Sequence, residues 1–537
     1  MQVDLAQNAP APAVAPDACS GRPDPYKNFA CLDAFLGDNV FARFINFYRL
    51  EWGQSGPPTD PNAPPSRRDG WPPTPQTTPP MPFTEWPYGG STNIGVNRPN
   101  SVDSPFMAAI ANTGVGQALS DAHIQIYGWI NGGFNLSTNF VKPGGNSPIS
   151  YAYTPNTAQL DQAVIYIERT PDTVQTDHVD WGFRFSTIYG ENYRYTTAYG
   201  VASYQLLKYN QVYGYDFPMV YGELYIPQVA QGLLIRVGRY ISLPDIEAQL
   251  APNNYMYTHS LTYAFDNYTN QGAVATLALT KQLFVQFGVT VGTEAAIWHL
   301  NTYELNPAPT VTVNGTTIPN PLYSNKFRTD PGAVPSFTAC VRYTWNDGRD
   351  NVYPCANGIN NANWGYNNLN WYGTTYYHKF DDHWHIAFES YYEHQDHVPN
   401  LSNPAVQALN AEGGADFGTP FGSPFIFHNN PNEAVCGNTI VTHCNAYAVG
   451  AVAYINYSPD PLNNFSFRPE IYWDPQGQRT GVPATYYEFT LSWQHWLSPQ
   501  VVFRPEIGYY HSNGANAFNN GTRNYTLIAA SDVILHF

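Results

Sequence analysis

The pentapeptide Phe-Arg-Pro-Glu-Ile occurs twice, at Phe467–Ile471 and at Phe503–Ile507. Residues two apart on an extended chain share a face, so Arg468 with Glu470, and Arg504 with Glu506, each put opposite charges on one side. Such charges facing each other across a narrow wet passage create a transverse field that sorts solutes by charge and dipole. The same four side chains would equally serve as a salt-bridge ladder stiffening a wall, and the sequence leaves both readings open. Pro469 and Pro505 lack a ladder donor, which predicts local bulges.

Arg184, Arg236, Arg342 and Glu488 fall on the same kind of face, and Asp245 with Glu247 add acids between two strands. Acids opposite wall arginines would form an eyelet. The formal charge of -17 tilts its preference towards cations. In "YYEHQDH", His394 and His397 stand beside Glu393 and Asp396, a weak candidate for a divalent metal. Two histidines without a rigid frame bind poorly, so a solvated loop is preferred and no metal is assigned. H-E-x-x-H, G-x-S-x-G and Walker A patterns are absent, so neither a cofactor nor a catalytic residue is expected and the chain is read as a non-enzyme.

The elements that must position these charges are strands. Aromatics make up 15% of 537 residues, with 41 Tyr against 5 Met, a composition that favours sheet over helix. No apolar run approaches the roughly 20 residues of a membrane-spanning helix. Net acidity argues against nucleic acid and anionic lipid surfaces as partners, because binding to both depends on clustered Lys and Arg. The opening "MQVDLAQNAP" has neither a basic n-region nor an apolar h-region, so export is argued from other features.

From His123 onward the pattern has period two. In "FSFRPEIYWD" the odd positions Phe465, Phe467, Ile471 and Trp473 oppose Ser466, Arg468, Glu470 and Asp474; "HWHIAFESYYE" and "LFVQFGVTVG" split the same way. A soluble sandwich would alternate too. Segment lengths favour a barrel, since many run to roughly 9–14 residues, enough for a tilted strand to cross a bilayer. Tyr and Trp gather near segment ends, as girdles at the headgroup level would. In the final segment Tyr525, Leu527, Ala529, Val533, Leu535 and Phe537 share the lipid parity. Phe537 is therefore read as the end of the closing strand.

Short turns at Thr170–His178, Pro227–Gln231, Lys281-Gln282, Asp347-Gly348, Asp381-Asp382, Ser458–Leu462 and Ser498-Pro499 alternate with long loops. Seven turns imply about sixteen strands, within a range of fourteen to eighteen. The count works only if "MYTHSLTYAF" belongs to one long loop, Ile241–Gln271, folded inward. The fold class is thus all-β: one antiparallel transmembrane barrel over 120–537. Residues 1–115 form an extension with one helix over about 33–51 and a proline-rich linker over 56–87, expected to run as polyproline. The six cysteines form three close pairs, Cys19 with Cys31, Cys340 with Cys355, and Cys436 with Cys444. Their spacings fit no zinc ribbon or redox motif and suggest local disulfides made in an oxidising compartment, although six cysteines allow about 15 connectivities.

The runs "IYGWINGGFNLSTN", "YGENYRYTTAYG", "LYIPQVAQGLLIRVGRYISLPDIEAQLAPNN" and "FRPEIYWDPQGQRTG" resemble the OmpL-like β-barrel porins of Gram-negative bacteria, over roughly Ser120–Phe537. The resemblance implies an outer-membrane location and a pore. Phe537 is similar to the terminal aromatic that barrel-assembly machinery reads, and porins of this size are often homotrimers by family analogy. The expected function is passive diffusion of small hydrophilic solutes or ions through a bore narrowed by the 241–271 loop. Two rivals remain: a plugged structural or adhesive barrel whose long loops bind envelope components or partners, and a membrane hydrolase.

Overall fold

A computed structural model describes residues 29–50, 67–71, 94–96, 104–197, 201–202, 204–207, 211–241, 245–293, 296–297, 303–304, 309–319, 328–329, 334–361, 368–411, 433–460, 462–498 and 500–537. Alternating side chains and short turns build a closed antiparallel barrel. Its strands are β1 (Gln125–Ser137), β2 (Ala158–Arg169), β3 (Asp180–Gly190), β4 in two pieces (Gly214–Asp216 and Val220–Ile226), β5 (Leu233–Ile241) and β6 (Thr269–Ala278). Then follow β7 (Leu283–Thr293), β8 (Ser336–Trp345), β9 (Asp350–Ile359), β10 (Asn370–Lys379) and β11 (Trp384–Pro399). The last are β12 (His443–Asp460), β13 (Asn463–Asp474), β14 (Ala484–Ser498), β15 (Val501–Asn513) and β16 (Tyr525–His536). The sheet has 17 paired segments; both pieces of β4 pair with β3, so the wall has sixteen strands.

Each strand pairs with its sequence neighbour, and β1 closes on β16 from Trp129↔His536 to Ser137↔Ile528. Closure leaves no open edge, the condition for sheet backbone to sit in lipid. Outward positions such as Phe465, Ile471, Trp473, Leu527 and Val533 are exposed on the barrel's skin, while their neighbours Arg468, Glu470 and Asp532 are buried inside it. The ladders past Pro469 and Pro505 do not bulge. Val452↔Glu470 and Ile455↔Phe467 keep one offset, as do Glu506↔Ala530 and Arg504↔Asp532. Register shifts fall near strand ends instead, at Tyr457/Asp460 and Trp496/Ser498. A proline costs one donor on one side of its strand, and the uninterrupted ladder on the other side holds the offset.

At the seam, Phe537 exchanges two backbone hydrogen bonds with Gly128, of 3.0 and 2.9 Å. Its ring covers the glycine: a Cβ on Gly128 would lie 2.7 Å from the ring and 2.0 Å from the Val164 carbonyl oxygen. Gly128→Val should therefore strain closure by about 1–3 kcal/mol. Heat-modifiable electrophoretic mobility checks this; a variant that melts like the parent would show that the seam has room.

The helix expected over 33–51 is two helices, α1 (Phe29–Leu36) and α2 (Val40–Phe47), broken at Gly37, whose φ is +83°. Asn39 caps α2 through Phe41 N–H at 2.9 Å and Ala42 N–H at 3.1 Å. Two more helices, α3 (Pro105–Ile110) and α4 (Gly114–Asp121), lead into β1. Apart from 67–71, the proline-rich stretch lies outside the described residues, as does Cys19; Cys31 is disulfide-bonded. Cys340–Cys355 joins directly facing residues of β8 and β9, and Cys436–Cys444 closes the end of the β11–β12 loop.

Candidate pore constriction

Strands β5 and β6 pair with each other, yet the chain between them is buried almost throughout from Ile246 to Tyr268. That burial comes from lying inside the cylinder. Met256–Phe265 is not a wall strand; it contains one helical turn, Leu261–Ala264, capped by Ser260.

The two Phe-Arg-Pro-Glu-Ile copies hold this loop. Arg504 donates to the carbonyls of Ala251 (2.8 Å) and Asn254 (3.0 Å). Glu506 accepts from Tyr257 N–H (3.0 Å), Thr258 N–H (3.1 Å) and the Thr258 hydroxyl. Arg468 donates to the Thr258 carbonyl, and Glu470 accepts from Leu261 N–H (2.8 Å), Thr262 N–H (2.5 Å) and Thr262 Oγ1 (2.5 Å). Arginine therefore takes loop carbonyls and glutamate takes loop amides, in sequence from 251 to 262. A bond to a charged group contributes about 1.5–3 kcal/mol, so the set fixes the loop firmly.

The two arginines are also paired with carboxylates of the wall and of the loop's own start. Arg468 meets Glu488 at 2.5 Å and Glu247 at 3.4 Å, and Arg504 meets Asp532. Glu247 also accepts from Tyr454 Oη at 2.6 Å. Burial raises the Glu247 pKa, and Arg468 opposes that rise.

On the opposite wall Arg184 pairs with Glu168 at 2.5 Å, and Arg236 pairs with Glu223 at 2.8 Å while stacking 4.4 Å from the Tyr221 ring. Arg342 lies 4.1 Å over Phe284. Asp245 stands where the described loop begins, its Oδ1 accepting from Glu247 N–H at 2.9 Å. His394 sits on β11, 6.2 Å from the Tyr372 ring, and His397 lies at a register shift with φ +58°. Among the described residues, the cluster able to offer three metal-binding atoms is Asp245, Asp266 and Glu389; it includes neither histidine.

Several bore residues escaped the sequence reading. Asp532 and Glu168 stand on the wet parity of their strands, so period two alone would have found them. Arg479, which pairs with Glu393 at 3.1 Å and donates to the Phe265 carbonyl at 3.0 Å, comes from a loop, where parity has no meaning. A second omission is apolar. Trp129, Tyr166, Trp496, Val502 and Ile534 face inward and form one buried cluster with Leu32, Leu36, Phe47 and Leu50 of the N-terminal helices. Tyr48 Oη donates to the His536 carbonyl at 2.5 Å. Trp71 and Ile94 pack likewise with Tyr225, Leu234, Ala278 and Phe284.

A closed sixteen-stranded barrel with an oily skin, a polar bore and a loop across it defines the porin class of bacterial outer-membrane barrels. The family model described as "Putative beta-barrel porin-2, OmpL-like" matches residues 123–537, and the chain belongs to that family. No curated protein matches it. Solved structures that align with it include the anion-selective porin from Comamonas acidovorans, at 8% identity and TM-score 0.42, covering 77% of this chain and 99% of that one. The outer-membrane channel DcaP of Acinetobacter baumannii aligns at 10% identity and TM-score 0.41, covering 77% and 97%. OmpT of Vibrio cholerae aligns at 8% identity and TM-score 0.40, covering 77% and 99%.

Proposed function

We propose that this chain is a non-enzymatic porin passing small hydrophilic solutes or ions between the inward loop and the wall formed by β5–β7. The carrying observation is one-sidedness. The loop's charged anchors come from β11, β13, β15 and the β13–β14 connection, whereas Arg236, Thr276 and Gln286 on the opposite inner wall keep partial exposure. A bore lined by more buried carboxylates than guanidinium groups supports a preference for cations. In a planar bilayer under a salt gradient, the purified protein should give stepwise conductance and a reversal potential of cation-selective sign. Absence of steps from both the full chain and an N-terminally truncated one would sink the reading.

A second reading has its own support: the N-terminal helices and Trp71 occupy the short-turn end of the bore, as a plug would. Both readings share one barrel and differ in how far that end is blocked. By family analogy the barrel is inserted by the assembly machinery and trimerises, which light scattering of the detergent complex tests.

A further inference from the structure

We propose that Asp245, Asp266 and Glu389 form a site for one hard divalent cation, calcium by preference, that ties the start and end of the inward loop to β11. Their ligand oxygens lie within 4.8 Å of one another. Each carboxylate is oriented by a loop amide that engages one of its oxygens. Glu247 N–H donates to Asp245 Oδ1 at 2.9 Å, Asn267 N–H to Asp266 Oδ1 at 2.6 Å, and Ile246 N–H to Glu389 Oε2 at 3.0 Å. The remaining oxygens Asp266 Oδ2 and Glu389 Oε1 are buried without a hydrogen-bond partner, in residues each 1% exposed.

A separate side chain points to the same ligand. Thr375 on β10 faces Glu389 directly across the ladder, is 2% exposed, and its Oγ1 also has no partner. Facing residues on one side of a sheet stand about 4.5–5.5 Å apart, within reach of a shared ion. Arg479, the guanidinium at this end of the loop, pairs with Glu393 and with loop carbonyls. Three carboxylates and a hydroxyl in one dry place are costly unless something positive joins them. An all-oxygen donor set suits calcium, which tolerates irregular coordination, better than zinc or copper. The competing account is a proton shared among the carboxyls: burial, with repulsion from Glu389, pushes Asp245 and Asp266 well above the usual carboxylate range. That account needs no metal.

The test uses the full chain in detergent, stripped with EDTA and titrated with CaCl2 by calorimetry, with melting followed in parallel. One equivalent of calcium per chain and a higher melting temperature are expected. Asp266→Asn and Thr375→Val should each weaken binding, the former by more than about tenfold. Asp381→Asn with Asp382→Asn, on an exposed turn, should leave it unchanged. No heat and no melting shift in the parent would overturn the proposal in favour of the shared proton, even if neither site variant folds. Undiminished binding in folded Asp266→Asn would overturn it by placing the calcium elsewhere.

Discussion

A chain lacking residues 1–103 should conduct several-fold more per opening than the full chain, in a planar bilayer at the same salt concentration. Sixteen strands enclose an aqueous bore when nothing fills it. Here Leu32, Leu36, Phe47 and Leu50 share a buried cluster with inward-facing Trp496, Val502 and Ile534, and Trp71 packs 6.0 Å from Phe284. The Arg68 guanidinium adds bonds to the carbonyls of Val174 (3.0 Å) and Thr173 (2.9 Å) at a short turn. Truncation removes this material and keeps α3 with its Ser104 cap, whose Oγ donates to the Ile126 carbonyl at 3.1 Å.

Magnitude decides whether the extension leaves by itself. Burying each large apolar side chain contributes about 1.5–3 kcal/mol, so four hold with roughly 6–12 kcal/mol before ordering costs. Spontaneous release would then be rare, and the full chain should show small steps, not flicker between two sizes. Arg68→Ala removes turn contacts and the cover over Trp71 but leaves the cluster of Leu32, Leu36, Phe47 and Leu50 in place, so it should raise conductance less than truncation does. Equal conductance in the full and truncated chains would place the narrowest point at the inward loop alone.

Period two made the barrel legible. Lipid and water each claim one parity, the strands are long, and the short turns carry Asp, Gly and Pro, so strand number followed from turn number. The inward loop was legible by subtraction, since counting Met256–Phe265 as a wall strand breaks the alternation of ends. What parity could not give was the partner of each bore charge. Arg468 and Arg504 face the bore as their parity requires, but whether they meet solute, wall or loop depends on how the loop is threaded. The occupied short-turn end had a signal that went unread: Trp129, Tyr166, Trp496, Val502 and Ile534 are apolar residues on the wet parity. A greasy row facing water implies that something covers it. The Asp245, Asp266 and Glu389 cluster was marked only in its parts: two acids in the inward loop and one on a wet parity, with nothing in the sequence to bring the loop's two ends to β11.

The two pentapeptide copies permit an experiment whose halves move together in one observable and apart in another. Arg468→Met with Arg504→Met removes the donors to the 251–258 carbonyls; Glu470→Gln with Glu506→Gln weakens the acceptors for the 257–262 amides. Both should loosen the loop, raise conductance and lower the melting temperature. The arginine pair should cost more, because Glu488 and Asp532 are then left as buried charges; breaking such a pair costs about 3–5 kcal/mol. Reversal potentials should diverge. Losing two positive charges from the bore shifts selectivity towards cations, and losing two negative charges shifts it towards anions. If conductance holds in both double variants while the reversal potentials diverge, the side chains act on the permeating ion and not on the loop. If conductance rises in both without divergence, they are anchors with no part in selection. The geometry requires the rise in conductance, because all four side chains spend hydrogen bonds on loop backbone between Ala251 and Thr262.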